Sequence, residues 1–159
     1  MRLRLERMTT STAASLLEGK RPSDIRTAED YPTEFSQGVA AQVASGSDLG
    51  PYVIYAPTEP VVVGEIGGAF TSAGTVEIGY AVVRSFWGRG IATEAVGALV
   101  DRMRDRPEVQ RVLAHTPLDR PESARVVEKA GFTFVREVED AHDGVILRVK
   151  EWELSLRSS

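Results

Sequence analysis

Cysteine is absent from all 159 residues. That excludes disulfides, a thiolate nucleophile, cysteine-bound zinc and iron–sulfur clusters together. Histidine is nearly absent: His115 and His142 lie far apart and match no metal-ligand spacing, so no metal is expected. Lysine occurs only as Lys20, Lys129 and Lys150, while arginine is frequent, a bias that reads as genome base composition. No apolar run approaches the ~20 residues of a transmembrane helix. The opening MRLRLERMTT alternates charged and apolar residues and has no signal-type apolar core. Neither a membrane partner nor secretion is expected, and the location read from this is cytoplasmic. A basic surplus is missing too. The net charge is −4 and the pI near 5.3, which argues against a nucleic-acid partner. A mildly acidic surface suits a cationic or amine-bearing partner.

What is present fits a globular chain: 42% hydrophobic and 26% charged residues. A chain this long buries roughly 68–70% of its unfolded surface and needs no staples. There is no repeat, low-complexity tract or linker, so residues 1–159 are expected to form a single domain. Residues 2–8 alternate as a strand. Residues 10–18 read as a short helix with Thr10 or Ser11 as N-cap, and 20–30 as loop. Phe35, Val39 and Val43 repeat every fourth residue and predict a helix over 32–43. Strands follow at 52–55, 61–70 and 75–83, the second with Gly64, Gly67 and Gly68 suggesting close packing or a bulge. Ala92, Ala95, Val96, Leu99, Val100 and Met103 mark the clearest helix, over 90–105. A strand at 110–116 precedes a helix predicted to start with Asp119 as N-cap, Pro121 in its first turn and Glu122 closing a capping box. Gly131 ends that helix. Strands at 132–138 and 145–156 close the chain, joined by a turn through Asp143-Gly144. The order is β α α β β β α β α β β, an α+β arrangement with helices on the faces of a mixed sheet.

The chemistry concentrates where the strand ending at Val83 runs into Gly88-Arg89-Gly90-Ile91-Ala92 and a helix begins at once. Such a turn leaves backbone N–H groups unpaired at the positive end of a helix dipole, a place for a phosphate or pyrophosphate. The glycines let the ligand approach the backbone, because a Cβ would hold it off. The same Gly-x-Gly also serves elsewhere as a plain tight turn. It is not a Walker motif, since no Gly-Lys-Ser/Thr follows, nor a dinucleotide fingerprint, since no first-strand βαβ unit precedes it.

The run Glu77-Ile78-Gly79-Tyr80 … Phe86-Trp87-Gly88-Arg89-Gly90-Ile91-Ala92-Thr93-Glu94-Ala95 resembles the acetyl-CoA-binding motif of the GNAT acetyltransferase superfamily. The run Ser123-Ala124-Arg125-Val126-Val127-Glu128-Lys129-Ala130-Gly131-Phe132 resembles the second signature of one branch, the ribosomal-protein N-terminal-alanine/serine acetyltransferases. The likeness covers nearly the whole chain and is weakest before residue 50. It implies a mostly antiparallel seven-stranded sheet flanked by about four helices, with a V-shaped gap between the fourth and fifth strands. It implies a pantetheine arm paired with backbone near Ala81, Val82 and Val83, and a pyrophosphate on the N–H groups of Gly88, Arg89, Gly90, Ile91, Ala92 and Thr93. Arg84 or Arg89 would reach phosphate oxygens. Two positions depart from the family pattern. Arg120 stands where an asparagine is common. Val127 stands where many members carry a tyrosine acid, which leaves Ser123 as the candidate contact to the CoA thiol.

Acetyl transfer from a thioester needs a neutral amine, a stabilised carbonyl oxygen and a departing thiolate. An alkylammonium of pKa ~10 is neutral in only ~0.1% of molecules at pH 7, so a base helps. Glu77 is the first candidate, Glu65 on the neighbouring strand the second, and His115 the third. A backbone N–H near Val82 is the candidate oxyanion donor. Direct attack in a ternary complex is favoured over an acetyl-enzyme, because no cysteine and no Ser–His–Asp order is present. The acceptor is an amine-bearing small molecule or a protein N-terminus. A non-catalytic acyl-CoA-binding sensor or interaction module is the alternative. The terminal strand, with Trp152 read as exposed on a sheet edge, suggests a homodimer.

Overall fold

The computed structural model describes residues 3–44, 49–142 and 145–157. Its elements run β1 (Arg4–Arg7), α1 (Thr10–Leu17), α2 (Ser36–Ala44), β2 (Tyr52–Tyr55), β3 (Val62–Ser72), β4 (Thr75–Val82), a 3-10 turn (Arg84–Phe86), α3 (Ile91–Arg104), β5 (Arg111–Pro117), α4 (Pro121–Lys129), β6 (Thr133–His142) and β7 (Val145–Ser155). This is the element order expected from the sequence. The strands form one seven-stranded sheet in the order β1-β2-β3-β4-β5-β7-β6. Only β4 and β5 pair in parallel; the other neighbours are antiparallel.

The parallel pair is short, and that fact builds the site. Its register covers Thr75–Ile78 against Arg111–Ala114. Beyond it β4 continues to Val82 along β3, and β5 continues to Pro117 along β7. Each strand follows its antiparallel partner, so the two diverge and open a V. Gly64 is needed on the β3 side. A Cβ there would lie 2.0 Å from the Ala81 carbonyl oxygen, so only glycine lets β3 hold β4 at that point.

The helix with the clearest apolar period packs as its spacing dictates. Ala95, Val96, Leu99, Val100 and Met103 of α3 are buried in the core with Val76, Ile78 and Ile66 of the sheet. Burying side chains of this size contributes roughly 1.5–3 kcal/mol each.

Several local expectations are corrected. The N-cap of α1 is Thr9, whose Oγ1 accepts the Thr12 N–H at 3.0 Å, one residue before the expected Thr10. The helix expected from residue 32 starts at Ser36, because Thr33 closes a turn first: the Ser36 N–H donates to its carbonyl at 3.2 Å. At α4 the capping residue is Arg120, with no side-chain cap bond, so the box from Asp119 to Glu122 does not form; Pro121 does occupy the first turn. Gly131 is left-handed at φ 99°, as a terminating glycine should be. The turn expected at Asp143-Gly144 lies outside the described residues.

The largest correction concerns Trp152. β7 lies inside the sheet between β5 and β6, and Trp152 is only 6% exposed. Its Nε1 donates to Thr116 Oγ1 at 2.9 Å and its ring meets Phe134 edge-on. The edge at this end of the sheet belongs to β6, and β1 is the edge at the other. Among the described residues no helix is long and apolar enough to cross a membrane.

Candidate active site

A cavity of about 790 Å³ fills the V. Tyr80, Ala81, Val82 and Val83 at the end of β4 form one wall. Gly88 and Gly90–Thr93 at the start of α3 form the floor. Ser123, Val126 and Lys129 of α4 stand opposite, and the loop Asp30–Phe35 covers the remaining side. That loop is tied down at both ends. Asp30 accepts the Ser85 N–H at 3.0 Å and the Ser85 hydroxyl at 2.8 Å. Burial works against the Asp30 carboxylate, but these bonds outweigh it and hold its pKa below the usual range. Glu34 pairs with Arg120, the residue that caps α4, which also lies over the Phe35 ring at 5.5 Å.

The floor is built to take an anion. Gly88 and Gly90 both have φ 77°, a left-handed backbone that turns the chain sharply into α3. A Cβ at Gly88 would meet nothing within 4 Å, so the space above the turn is open. The first N–H groups of α3 have no partner within the helix and carry the positive end of its dipole. Arg84, Arg125 and Lys129 bring cationic side chains to the same cavity. Arg84 is braced over the Trp87 ring at 4.7 Å. Arg89 sits over Phe86 at 4.6 Å and is not among the cavity-lining residues.

The end of β4 presents polar backbone to the cleft. The Val83 N–H bonds the Val63 carbonyl of β3 at 2.8 Å. Alternation along a strand therefore turns the N–H and C=O of Val82 toward the gap. The Val82 carbonyl accepts the Trp87 indole N–H at 2.7 Å. Across the gap, the Tyr80 hydroxyl donates to the Ser123 carbonyl at 2.9 Å, joining β4 to the first turn of α4. Burial raises the Tyr80 pKa well above its ordinary value, so this proton stays on the phenol. Among the described residues no partner bonds Ser123 Oγ, so its hydroxyl is not spent on capping. Val127 is fully buried in the core.

The three expected bases separate. Glu77 and His115 meet one another rather than the cavity, and neither lines it. His115 Nδ1 lies 2.9 Å from Glu77 and 3.3 Å from Asp140, and Nε2 lies 2.9 Å from Glu151. With carboxylates on both ring nitrogens the imidazolium is favoured. The Glu77 bond leads in pushing its pKa up to about 9, against the effect of burial. The His115 bond in turn lowers the Glu151 pKa, and Arg136 adds to it. Glu65 is fully buried behind the Ala81 wall, opposite Ala81 in the β3–β4 register. Burial pushes its pKa up to about 7, although Tyr31, Ser36 and Thr33 lie close enough to favour the anion.

Sequence reasoning missed Tyr80, Trp87 and the whole of the Asp30–Phe35 wall as parts of the cavity. Tyr80 and Trp87 lie inside the strand-to-helix motif, and their place was signalled by it. Asp30–Phe35 carried no local signal, because the contacts that fix it span 55 and 86 residues of chain.

The sequence pattern of the acetyltransferase (GNAT) domain family matches residues 2–133. No curated protein matches the chain in sequence. Among solved structures, a GNAT-family acetyltransferase from Bacillus anthracis superposes with a TM-score of 0.70 at 18% identity, over 98% of this chain and 96% of that one. An aminoglycoside acetyltransferase in complex with coenzyme A gives 0.68 at 22%, over 97% and 95%. A ribosomal alpha-N-protein acetyltransferase in complex with coenzyme A gives 0.67 at 19%, over 96% and 93%. At these identities the likeness speaks to the fold.

Proposed function

The chain belongs to the acetyltransferase (GNAT) domain family, and on that premise we propose that its 159 residues form one acetyl-CoA-dependent N-acetyltransferase that acts on a primary amine by direct attack in a ternary complex. The observation that carries this is the continuity of the cavity. One space joins the left-handed glycine turn at the start of α3, the free edge of Val82 and the first turn of α4.

In this reading the N–H groups from Gly88 to Thr93, with Arg84, hold the pyrophosphate of acetyl-CoA. The stretch Ala81, Val82 and Val83 takes the pantetheine arm through the outward backbone groups of Val82, whose N–H faces the thioester carbonyl oxygen where charge develops. The arm takes the place of the Trp87 indole at the Val82 carbonyl. Ser123 Oγ contacts the sulfur, and Tyr80 fixes the turn that carries it. A thiolate of pKa near ~8.5 leaves without strong assistance, so the apolar Val127 is tolerable. The outcome at the acceptor is an amide, with one amine proton lost before attack and one passed to the thiolate.

The ribosomal alpha-N-protein acetyltransferase neighbour supports a protein N-terminus as acceptor, and the aminoglycoside acetyltransferase neighbour supports a small amine. We favour the N-terminal branch because the Ser123–Phe132 run resembles its second signature, Arg120 and Val127 being its two departures. The test is thiol release from acetyl-CoA across alanine- and serine-initiated peptides, an aminoglycoside and a polyamine. Turnover of the peptides alone supports the branch. Turnover of the small amines alone moves the substrate class. Binding of acetyl-CoA with no turnover by any amine supports the non-catalytic module. We further propose a homodimer through the β6–β7 hairpin, whose Phe134, Val135, Val145 and Ile146 are all exposed. Light scattering that returns a monomer at micromolar concentration counts against it.

A further inference from the structure

Glu65 is a fully buried carboxyl group that no part of the cofactor site uses, and it is connected to the cavity. Ser36 Oγ, 1% exposed, donates to Glu65 Oε1 at 2.7 Å. Thr33 Oγ1 lies 3.2 Å from Ser36 Oγ, and Thr33 lines the cavity together with the end of β4. The direction of this chain follows from a count of protons. Ser36 has one hydroxyl proton, and it goes to Glu65. Ser36 Oγ also accepts the Thr33 N–H at 2.9 Å. The bond between the two hydroxyls is therefore donated by Thr33. Thr33 Oγ1 accepts the Phe35 N–H at 3.1 Å, which leaves it one lone pair. Every hydroxyl proton points inward, and the outermost oxygen is ready to accept another.

We propose that Thr33, Ser36 and Glu65 form a proton relay that takes the proton of the substrate ammonium out of the cavity into the buried carboxylate. The proposal rests on the transferase reading and names the acceptor of the proton that reading requires. Thr33 touches the substrate; Ser36 and Glu65 act through it. The ammonium proton passes to Thr33 Oγ1 as the Thr33 proton passes to Ser36 Oγ and the Ser36 proton to Glu65 Oε1. The freed amine nitrogen then forms a bond to the thioester carbon. The C–S bond breaks with its electron pair on sulfur, and the second amine proton goes to the thiolate. After the amide leaves, Glu65 returns its proton along the same chain to water.

The surroundings suit the task. On the flanking strands Glu65 faces Val53 of β2 and Ala81 of β4, which carry no charge. The titratable group beside it is Tyr31, also buried. The Tyr31 hydroxyl favours the Glu65 anion, although neither that hydroxyl nor Glu65 Oε2 makes a hydrogen bond of standard geometry. A carboxyl group so placed exchanges its proton near neutral pH, where a base is most effective.

Two measurements test the relay. The first needs no acceptor: carbon-13 NMR titration of the Glu65 carboxyl in the full chain with acetyl-CoA bound. The expected midpoint is near pH 7, and Ser36→Ala should raise it, since a donor to the anion is lost. A midpoint unmoved by Ser36→Ala overturns the chain of bonds. The second uses whichever amine of the panel above is turned over best. Glu65→Gln, Ser36→Ala and Thr33→Val should each lower kcat at pH 7 by about tenfold to a hundredfold, with the KM for acetyl-CoA unchanged. The deficit should shrink at high pH, where the free amine predominates, and Thr33→Ser should recover most of the rate that Thr33→Val loses. Equal losses at every pH, or equal behaviour of Thr33→Val and Thr33→Ser, overturn the relay while leaving the transferase standing. A wild-type chain that turns over no amine overturns the transferase reading instead, and the NMR arm still judges the chain of bonds.

Discussion

Replacing Glu77 by glutamine tests whether that carboxylate belongs to the His115 cluster or to the amine. The pKa of His115 rises from an ordinary 6.5 to about 9, with the Glu77 bond as the leading cause. A tenfold gain in proton affinity on folding is worth ~1.36 kcal/mol, so the whole cluster contributes about 3 kcal/mol at a pH low enough for His115 to be charged in the folded and unfolded states alike. The His115 side chain is 19% exposed but Glu77 is 38% exposed, so water screens its share. Glutamine also keeps an oxygen to accept the Nδ1 proton. The expected cost of Glu77→Gln is therefore about 1 kcal/mol, or roughly 2–4 °C in Tm for a chain of this size. The sign with pH is fixed. A folded pKa above the unfolded value gives stability that is complete below about pH 6.5 and lost as pH rises through about 9. The gap between wild type and variant should thus be full near pH 6 and close by about pH 10. Thermal unfolding across that range measures it, and NMR of the imidazole should show the His115 midpoint fall. A loss that is the same at both ends of the range, or an unmoved His115 midpoint, refutes the assignment. The rate separates the roles further: a base for the amine loses kcat at neutral pH and regains it in alkali, whereas a partner of His115 does not.

Three other outcomes follow from the geometry. Acetyl-CoA at about a hundred times its dissociation constant should stabilise the chain by about 2.7 kcal/mol, and Gly90→Asp, which sets a negative side chain against the pyrophosphate, should abolish that shift in thermal unfolding. Ser123→Ala should lower kcat about tenfold to a hundredfold with little change in acetyl-CoA affinity, since the thiolate is already a fair leaving group; steady-state kinetics with titrated acetyl-CoA reads both. Gly64→Ala should cost at least ~3 kcal/mol in urea unfolding, because its Cβ would sit 2.0 Å from a backbone oxygen that cannot give way.

The parts of this molecule that are legible in its sequence are those that local physics dictates. The strand into Gly88-Arg89-Gly90 and the apolar stripe from Ala92 to Met103 announce themselves by period and turn chemistry, and the element order follows from them. Capping is readable only to within a residue, because Thr9, Thr10 and Ser11 are chemically alike as caps. The place of β7 is not readable. Alternation tells which residues share a face, and it does not tell whether a strand is at the edge; hence Trp152, packed on Phe134 and Thr116, reads from sequence as exposed. The acceptor side is least readable of all. Glu77 meets His115 and Glu34 meets Arg120 only after the sheet has formed, so no window of sequence contains either pair. Ser36 and Thr33 look like ordinary turn residues until Glu65 is placed behind them.

The central claim is that the cavity in the V between β4 and β5 binds acetyl-CoA and delivers its acetyl group to an amine. The most direct measurement is thiol release from acetyl-CoA in the presence and absence of the amine panel, run in parallel on the wild-type chain and on folded Gly90→Asp. The expected result is release that depends on an amine, with an acetylated product of matching amount by mass spectrometry, and its loss in Gly90→Asp. Thiol release that ignores every amine, or that survives Gly90→Asp undiminished, contradicts the claim.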